Sequence, residues 1–167
     1  MLFLFSLCEN YAQKPGSISC NIDIHINNTL YDRTLPNNGT GFGLGIQGMV
    51  KMNPQCMGVI DVAIDAYGGT KQLFLTADGK PIYSKGGVVT AFAGAVFQPY
   101  SKWYVGITAG AAFFNSNAWF GIKPLIGIPF LHQRLIFKMG MVNIFQRDEV
   151  SHQNFGYLTF GLGVKLF

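Results

Sequence analysis

From Ser17 to the C-terminus the dominant repeat is two residues, and that repeat constrains the fold more than any other feature. Ile18, Cys20, Ile22, Ile24 and Ile26 alternate with Ser19, Asn21, Asp23, His25 and Asn27, which gives a strand with one apolar and one polar face. A second run sets Phe42, Leu44, Ile46, Val50 and Met52 against Gly43, Gly45, Gln47 and Lys51. A third opposes Ile60, Val62 and Ile64 to Asp61, Ala63 and Asp65. A fourth, Val88 to Phe97, is extended but too Ala-rich for its faces to be assigned. In the fifth, Trp103, Val105, Ile107, Ala109, Ala111 and Phe113 alternate with Tyr104, Gly106, Thr108, Gly110 and Ala112. The sixth sets Phe120, Ile122, Ile126 and Ile128 against Gly121, Lys123 and Gly127, with a bulge or break expected at Pro124, which lacks a ladder donor. Leu135, Phe137, Met139 and Met141 oppose Lys138 and Gly140 in the seventh; Leu158 to Leu166 oppose Tyr157 to Lys165 in the eighth.

The joins between these runs alternate in length. Asn53-Pro54-Gln55, Gln98 to Ser101 and His132-Gln133 are tight, whereas Asn28 to Thr40, Gly68 to Gly87 and Arg147 to Asn154 are long and polar. Only Asn115-Ser116-Asn117 breaks the rule by being short. Short turns at one end and long loops at the other are the habit of outer-membrane barrels. Thr70 to Lys85, with Ala77-Asp78-Gly79 as its turn, reads as a protruding hairpin.

The face opposite the bulky residues is mostly Gly, Ala and Thr with a few charges, a poor water-facing surface but a good interior for a narrow barrel. Only 12% of the chain is charged, where soluble domains carry about 25%. No stretch approaches the roughly 20 apolar residues of a membrane helix, so a chain of this kind crosses a bilayer only as a barrel. Trp103 and Phe113 bracket ten strand steps of about 3.3 Å, which at a tilt of about 40° span about 25 Å of bilayer. Aromatic residues belong at both edges of that band: Tyr100 and Trp103 at one, Phe113, Trp119, Phe145 and Tyr157 at the other. The expectation is an all-β, eight-stranded antiparallel up-and-down transmembrane β-barrel covering residues 14–167. A soluble, lipocalin-like carrier with an internal apolar pocket is the alternative from a different class.

The last eleven residues, Tyr157-Leu-Thr-Phe-Gly-Leu-Gly-Val-Lys-Leu-Phe167, resemble the closing strand of bacterial outer-membrane barrels, which end in Phe after alternating apolar residues. The whole pattern is similar to the small eight-stranded class that includes the OmpA membrane domain, OmpX and a lipid-modifying palmitoyltransferase. That resemblance implies a bacterial outer-membrane location, contact with membrane lipid, and insertion by the barrel-assembly machinery, which reads the terminal strand. Phe167 departs from it, one residue off the apolar register that ends at Leu166. The Tyr-Ala-Gln junction and the Gly-Leu-Gly-Val-Lys ending look like secreted proteins of the Bacteroidetes type.

Residues 1–13 read as a truncated signal peptide: Met1 to Cys8 is a short apolar run, Tyr11-Ala12-Gln13 resembles a cleavage region, and a basic start is missing. Cys8, Cys20 and Cys56 have no CxxC or metal-ligand spacing. Cys20 and Cys56 pair only if both lie near one barrel end; two buried free thiols are the simpler reading. No metal and no cofactor is expected.

Motifs that carry chemistry are few. Gly43-Leu-Gly45-Ile-Gln-Gly48 matches GxGxxG, but inside an alternating strand rather than between a strand and a helix, so no dinucleotide is expected. Asp23, Lys51, Asp61, Asp65, Lys123, Lys138 and Lys165 share the inner parity, most of them toward the tight-turn end. Eight strands leave room for side chains but not for a water-filled pore, and isolated buried charges are costly, so these residues should pair into a plug. The net charge of +4 is thinly spread, with no Lys or Arg run to grip phosphates, and nucleic acid is not an expected partner. His152 beside Asp148, Glu149 and Ser151 offers a hydrolase-like set on one loop, though adjacent loop residues rarely form a nucleophile–base geometry.

The functional expectation is a monomeric, non-enzymatic outer-membrane barrel with a plugged lumen. Its outer loops would contact a surface ligand or protein through Tyr31, Arg33, Lys71, Asp78, Lys80, Tyr83, Asp148, Glu149 and His152. A small lipid-modifying enzyme of the same membrane is the other reading.

Overall fold

The computed structural model describes residues 15–31, 39–67, 72–75, 77–79, 81–83, 86–100, 102–114, 117–145 and 154–167. The strands are β1 (Ile18–Tyr31), β2 (Thr40–Lys51), β3 (Cys56–Tyr67), β4 (Gln72–Leu75), β5 (Pro81–Tyr83), β6 (Gly86–Tyr100), β7 (Trp103–Phe114), β8 (Asn117–Phe130), β9 (Leu135–Phe145) and β10 (Phe155–Lys165). Eight of them close a barrel in the order β1-β10-β9-β8-β7-β6-β3-β2. All its pairings are antiparallel. The remaining two, β4 and β5, form a separate two-stranded sheet between β3 and β6. Its turn holds Gly79 at φ 75°, a left-handed conformation that glycine adopts without steric cost.

Closure of the barrel is antiparallel, Ile24 of β1 opposite Leu162 of β10. The ladder runs past the last strand residue: Leu166 N–H donates to Cys20 O at 2.8 Å, and Cys20 N–H donates to Phe167 O at 3.2 Å. Leu166 and Phe167 are both exposed, so the terminal Phe off the apolar register still extends the closing pair. One end of the barrel carries the start of β1, the end of β10 and the tight joins at 52–55, 101–102 and 131–134; the other carries the longer connections and the short β7–β8 join.

Alternation decides what each wall faces. Ile24, Leu44, Ile64, Ile107 and Leu162 point outward and are exposed. Asn21, Asp23, His25, Gln47, Asp61, Asp65 and Thr108 point inward and are buried. A barrel bound for water would invert this distribution, because so large an exposed apolar surface needs an apolar solvent. At Pro124 the β8–β9 ladder skips from Ile122–Asn143 to Leu125–Gly140 and resumes in the same register, a local break without a slip.

The lumen holds more than small residues. Phe92, Tyr104, Phe155 and Tyr157 point into it, although their bulk suggests the outer wall. They form two apolar clusters. Tyr67, Val88, Phe92, Ala112, Val142, Ile144, Phe155 and Tyr157 pack at the long-loop end. Met49, Met57, Val59, Val96, Tyr104, Leu125 and Ile136 pack at the tight-turn end. The polar residues lie between these two clusters.

Candidate functional site

The polar layer of the lumen is where the chain concentrates its chemistry. β1 contributes Asp23, His25 and Asn27 on successive inward positions, β3 contributes Asp61 and Asp65, and β8, β9 and β10 add Lys123, Lys138 and Tyr157. Lys138 Nζ donates to Asp23 Oδ1 at 2.6 Å. The other Asp23 oxygen meets His25 Nδ1 at 3.0 Å, and His25 Nε2 meets Asp65 Oδ1 at 2.6 Å. Asn27 Nδ2 donates to the same Asp65 oxygen at 2.7 Å, and the Tyr157 hydroxyl donates to Asp65 Oδ2 at 2.8 Å. Both ring nitrogens of His25 therefore face carboxylates, and donating to both at once requires an imidazolium.

A second group centres on Asp61. Lys123 Nζ donates to its two oxygens at 3.1 and 3.2 Å, and Gln47 Nε2 donates to Oδ2 at 3.0 Å. Charge-assisted contacts of this kind satisfy groups whose burial alone would be very costly. The space left between the two groups is small: a cavity of about 20 Å³ bordered by Asp23, His25, Gln47, Asp61, Lys123 and Lys138. The arrangement sets paired charges across the middle of the barrel, with that cavity between them.

Glycines of β2 make the arrangement possible. A Cβ at Gly43 would run into Asp65 Oδ1 and His25 Nε2, one at Gly45 would come within 2.9 Å of Asp23 Oδ2, and one at Gly41 would sit 2.6 Å from the Tyr67 ring. The GxGxxG match is thus mostly an inner face stripped of side chains so that the neighbouring strands can reach over it. Gly48, its last member, has nothing within 4 Å.

Several expected positions are corrected. Tyr157 is 1% exposed and lies in the lumen, not at the membrane edge. Trp119 is half-buried against the long-loop apolar cluster, also from the inside. Both share parity with inner residues, Tyr157 with Thr159 and Gly161, Trp119 with Gly121 and Lys123, and strand parity overrides aromatic type. Tyr100, Trp103, Phe113 and Phe145 lie on the outer wall. There Tyr100 and Trp103 have ring centroids 6.4 Å apart, and Phe145 stacks on Phe120 at 5.9 Å. Of the inward charges, Asp23, Lys51, Asp61, Lys138 and Lys165 lie nearer the tight-turn end of their strands, whereas Asp65 lies two residues from the long-loop end of β3. Lys51 and Lys165 are half-buried at the tight-turn mouth and take no part in the two groups. Cys20 and Cys56 are free and half-buried rather than fully buried.

Of the loop residues expected to contact a ligand, Asp78 is exposed in the hairpin turn. Tyr31 and Tyr83 close β1 and β5. Arg33, Lys71, Lys80, Asp148, Glu149 and His152 lie outside the described residues, as does Ser151. His25, Asn27, Gln47 and Tyr157 are network members that the sequence did not single out as such. Their shared inner parity was the available signal, but their partners lie up to 92 positions away.

No family profile matches the sequence, and no curated protein does. Solved structures do share the fold. The outer-membrane protein Ail of Yersinia pestis, in a phospholipid nanodisc, superposes with a TM-score of 0.60 at 13% identity, over 90% of this chain and 100% of Ail. Neisserial surface protein A gives a TM-score of 0.59 at 15% identity, over 90% of this chain and 99% of the other. A de novo designed transmembrane β-barrel gives 0.54 at 8% identity, over 93% and 99%. Ail has also been solved with the heparin analogue sucrose octasulfate. The chain therefore has the fold of the small eight-stranded transmembrane barrels.

Proposed function

We propose that this barrel sits in a bacterial outer membrane, works without catalysis, and is closed to solutes along its axis by the ion-pair layer of its lumen. One observation carries the reading. The interior is occupied by the Lys138–Asp23–His25–Asp65 chain and the Lys123–Asp61 pair, and apolar clusters lie on either side of them. A wall that faces lipid and an interior that conducts nothing leave the loops as the working surface. The end bearing the tight turns, the start of β1 and the end of β10 is periplasmic, following the habit of such barrels. Membrane lipid surrounds a single copy, and the barrel-assembly machinery reads the β10 strand during insertion.

Planar-bilayer recording tests the closed lumen. The reading expects no steady conductance from the inserted barrel, and stable large openings would refute it. The loops are the place for surface contacts, through Arg33, Lys71, Lys80 and Tyr83 on the long connections. Because Ail was solved with a sulfated sugar, a sulfated polysaccharide is the first ligand to try. Binding that weakens when Arg33, Lys71 and Lys80 are changed to Gln supports the loop assignment. Binding unaffected by those changes, or absent, counts against that ligand class.

A further inference from the structure

The charges that the lumen leaves over are not scattered. Among the described residues, Lys51, Lys102, Arg134 and Lys165 lie outside the two ion-pair groups, and all four stand at the tight-turn end. Lys51 closes β2, Lys102 sits in the β6–β7 turn, Arg134 in the β8–β9 turn, and Lys165 closes β10. They are thereby spaced around that end. No described acidic residue accompanies them: Asp23, Asp61 and Asp65 are inside the barrel and Asp78 is in the hairpin at the far end. The long connections, by contrast, mix both signs, with Asp32 beside Arg33 and Arg147 beside Asp148 and Glu149.

Their depth is as telling as their sign. Lys102 lies between Tyr100 and Trp103, an outer-wall aromatic pair of the type that settles at the membrane–water boundary. Leu131, in the turn with Arg134, is exposed; so are Val50, Met52, Val164 and Leu166, whose alternation turns Lys51 and Lys165 inward at the mouth behind the rim. Lys102 and Arg134, exposed in their turns, therefore stand where the apolar band ends, at the level of lipid phosphates, with stems long enough to lie along apolar surface while their charges reach the headgroups. Basic groups at that depth attract anionic lipid.

We infer that this rim is a docking surface for the headgroups of anionic phospholipids in the leaflet next to the tight turns. The inference rests on the membrane-barrel reading above. It adds a preference for the charge of the lipid and a device that holds the barrel at a fixed depth and orientation.

The test reconstitutes the full chain in vesicles of phosphatidylcholine with a minor share of phosphatidylglycerol. Spin-labelled analogues of the two lipids then report which is retained at the protein surface. At low salt the unmodified barrel should retain the anionic label roughly two- to fivefold over the zwitterionic one. That preference should fall toward one at high salt, and also in a variant carrying Lys102→Gln and Arg134→Gln, whereas Lys51→Gln with Lys165→Gln should leave it in place. Folding of each protein is checked by the shift in gel mobility on heating. Should the double variant fail to fold, the single Lys102→Gln and Arg134→Gln variants, in exposed turns, serve in its place and should each lower the preference. An inserted, folded barrel with no anionic preference overturns this inference alone, as does a preference the Lys102 and Arg134 substitutions leave intact. A chain that does not enter vesicles at all overturns the barrel reading and this one with it.

Discussion

His25 on β1 and Asp65 on β3 meet across the intervening strand β2, Nε2 to Oδ1 at 2.6 Å, in the space that Gly43 leaves open. The contact ties together strands that share no backbone ladder, so a single glycine controls how the inner charges connect.

Gly43→Ala should consequently cost more than its size suggests. The added methyl displaces the imidazole or the carboxylate, and the expected loss is about 1–3 kcal/mol, in line with overpacking of a filled interior. Gly48→Ala, which meets open space on the outer wall, should stay within about 0.5 kcal/mol. Urea titration of the refolded barrel in lipid vesicles measures both, and equal effects would remove Gly43 from the account.

Removing one member of an inner pair should hurt more than removing both charges. Lys123→Met leaves Asp61 buried with Gln47 as its remaining described partner, and a loss of about 3–5 kcal/mol is expected from such an uncompensated charge. Adding Asp61→Asn to the same protein should recover most of it, because the neutral amide oxygen still accepts from Gln47. The same urea titration decides; a double variant no better than the single would show that the charge is not what destabilises.

The two tryptophans face different surroundings, and fluorescence can separate them. With Trp119→Phe, the remaining Trp103 should be quenched strongly by lipids brominated near the headgroup. With Trp103→Phe, the remaining Trp119, packed against the long-loop apolar cluster from the inside, should be quenched weakly. The reverse order would place Trp119 on the outer wall.

The β8–β9 turn offers a stabilising change. Leu131, His132 and Gln133 have φ of 47°, 57° and 65°, a left-handed run that costs a non-glycine residue roughly 1–2 kcal/mol per position. His132→Gly should recover up to about 1 kcal/mol, the glycine's freedom in the unfolded chain offsetting part of the gain. The midpoint of the heat-induced gel shift should rise, and a fall would mean that the His132 side chain contributes more than its backbone strain costs.

Much of this was legible in the chain. Strict alternation in Ile18 to Asn27, Trp103 to Phe113 and Tyr157 to Leu166 fixed three strands and their inner faces, because a period of two leaves one assignment once one face is apolar. The β6 strand was not legible in the same way: Ala91, Ala93 and Ala95 are small enough for either side, and only pairing with β3 and β7 settles that Phe92 points inward. At Tyr157 and Trp119 residue type points to the membrane edge and parity to the lumen, and parity decides. The ion pairs were out of reach for a different reason. Lys138 and Asp23 are 115 positions apart, and their meeting depends on the closure of β1 against β10 and on the strand tilt, neither of which a local pattern encodes. The role of Gly43 was out of reach in the same way, since the side chains it makes room for, His25 and Asp65, come from β1 and β3.

The barrel is closed and its outer wall is apolar, as lipid requires. Spin labels placed one at a time along β10, from Leu158 to Val164, test this most directly in a reconstituted bilayer. Leu158, Phe160, Leu162 and Val164 should collide freely with oxygen dissolved in the bilayer and poorly with a water-soluble nickel chelate, while the labels between them should be shielded from both. Greater access of the nickel chelate to Phe160 and Leu162 than to their neighbours would contradict the account.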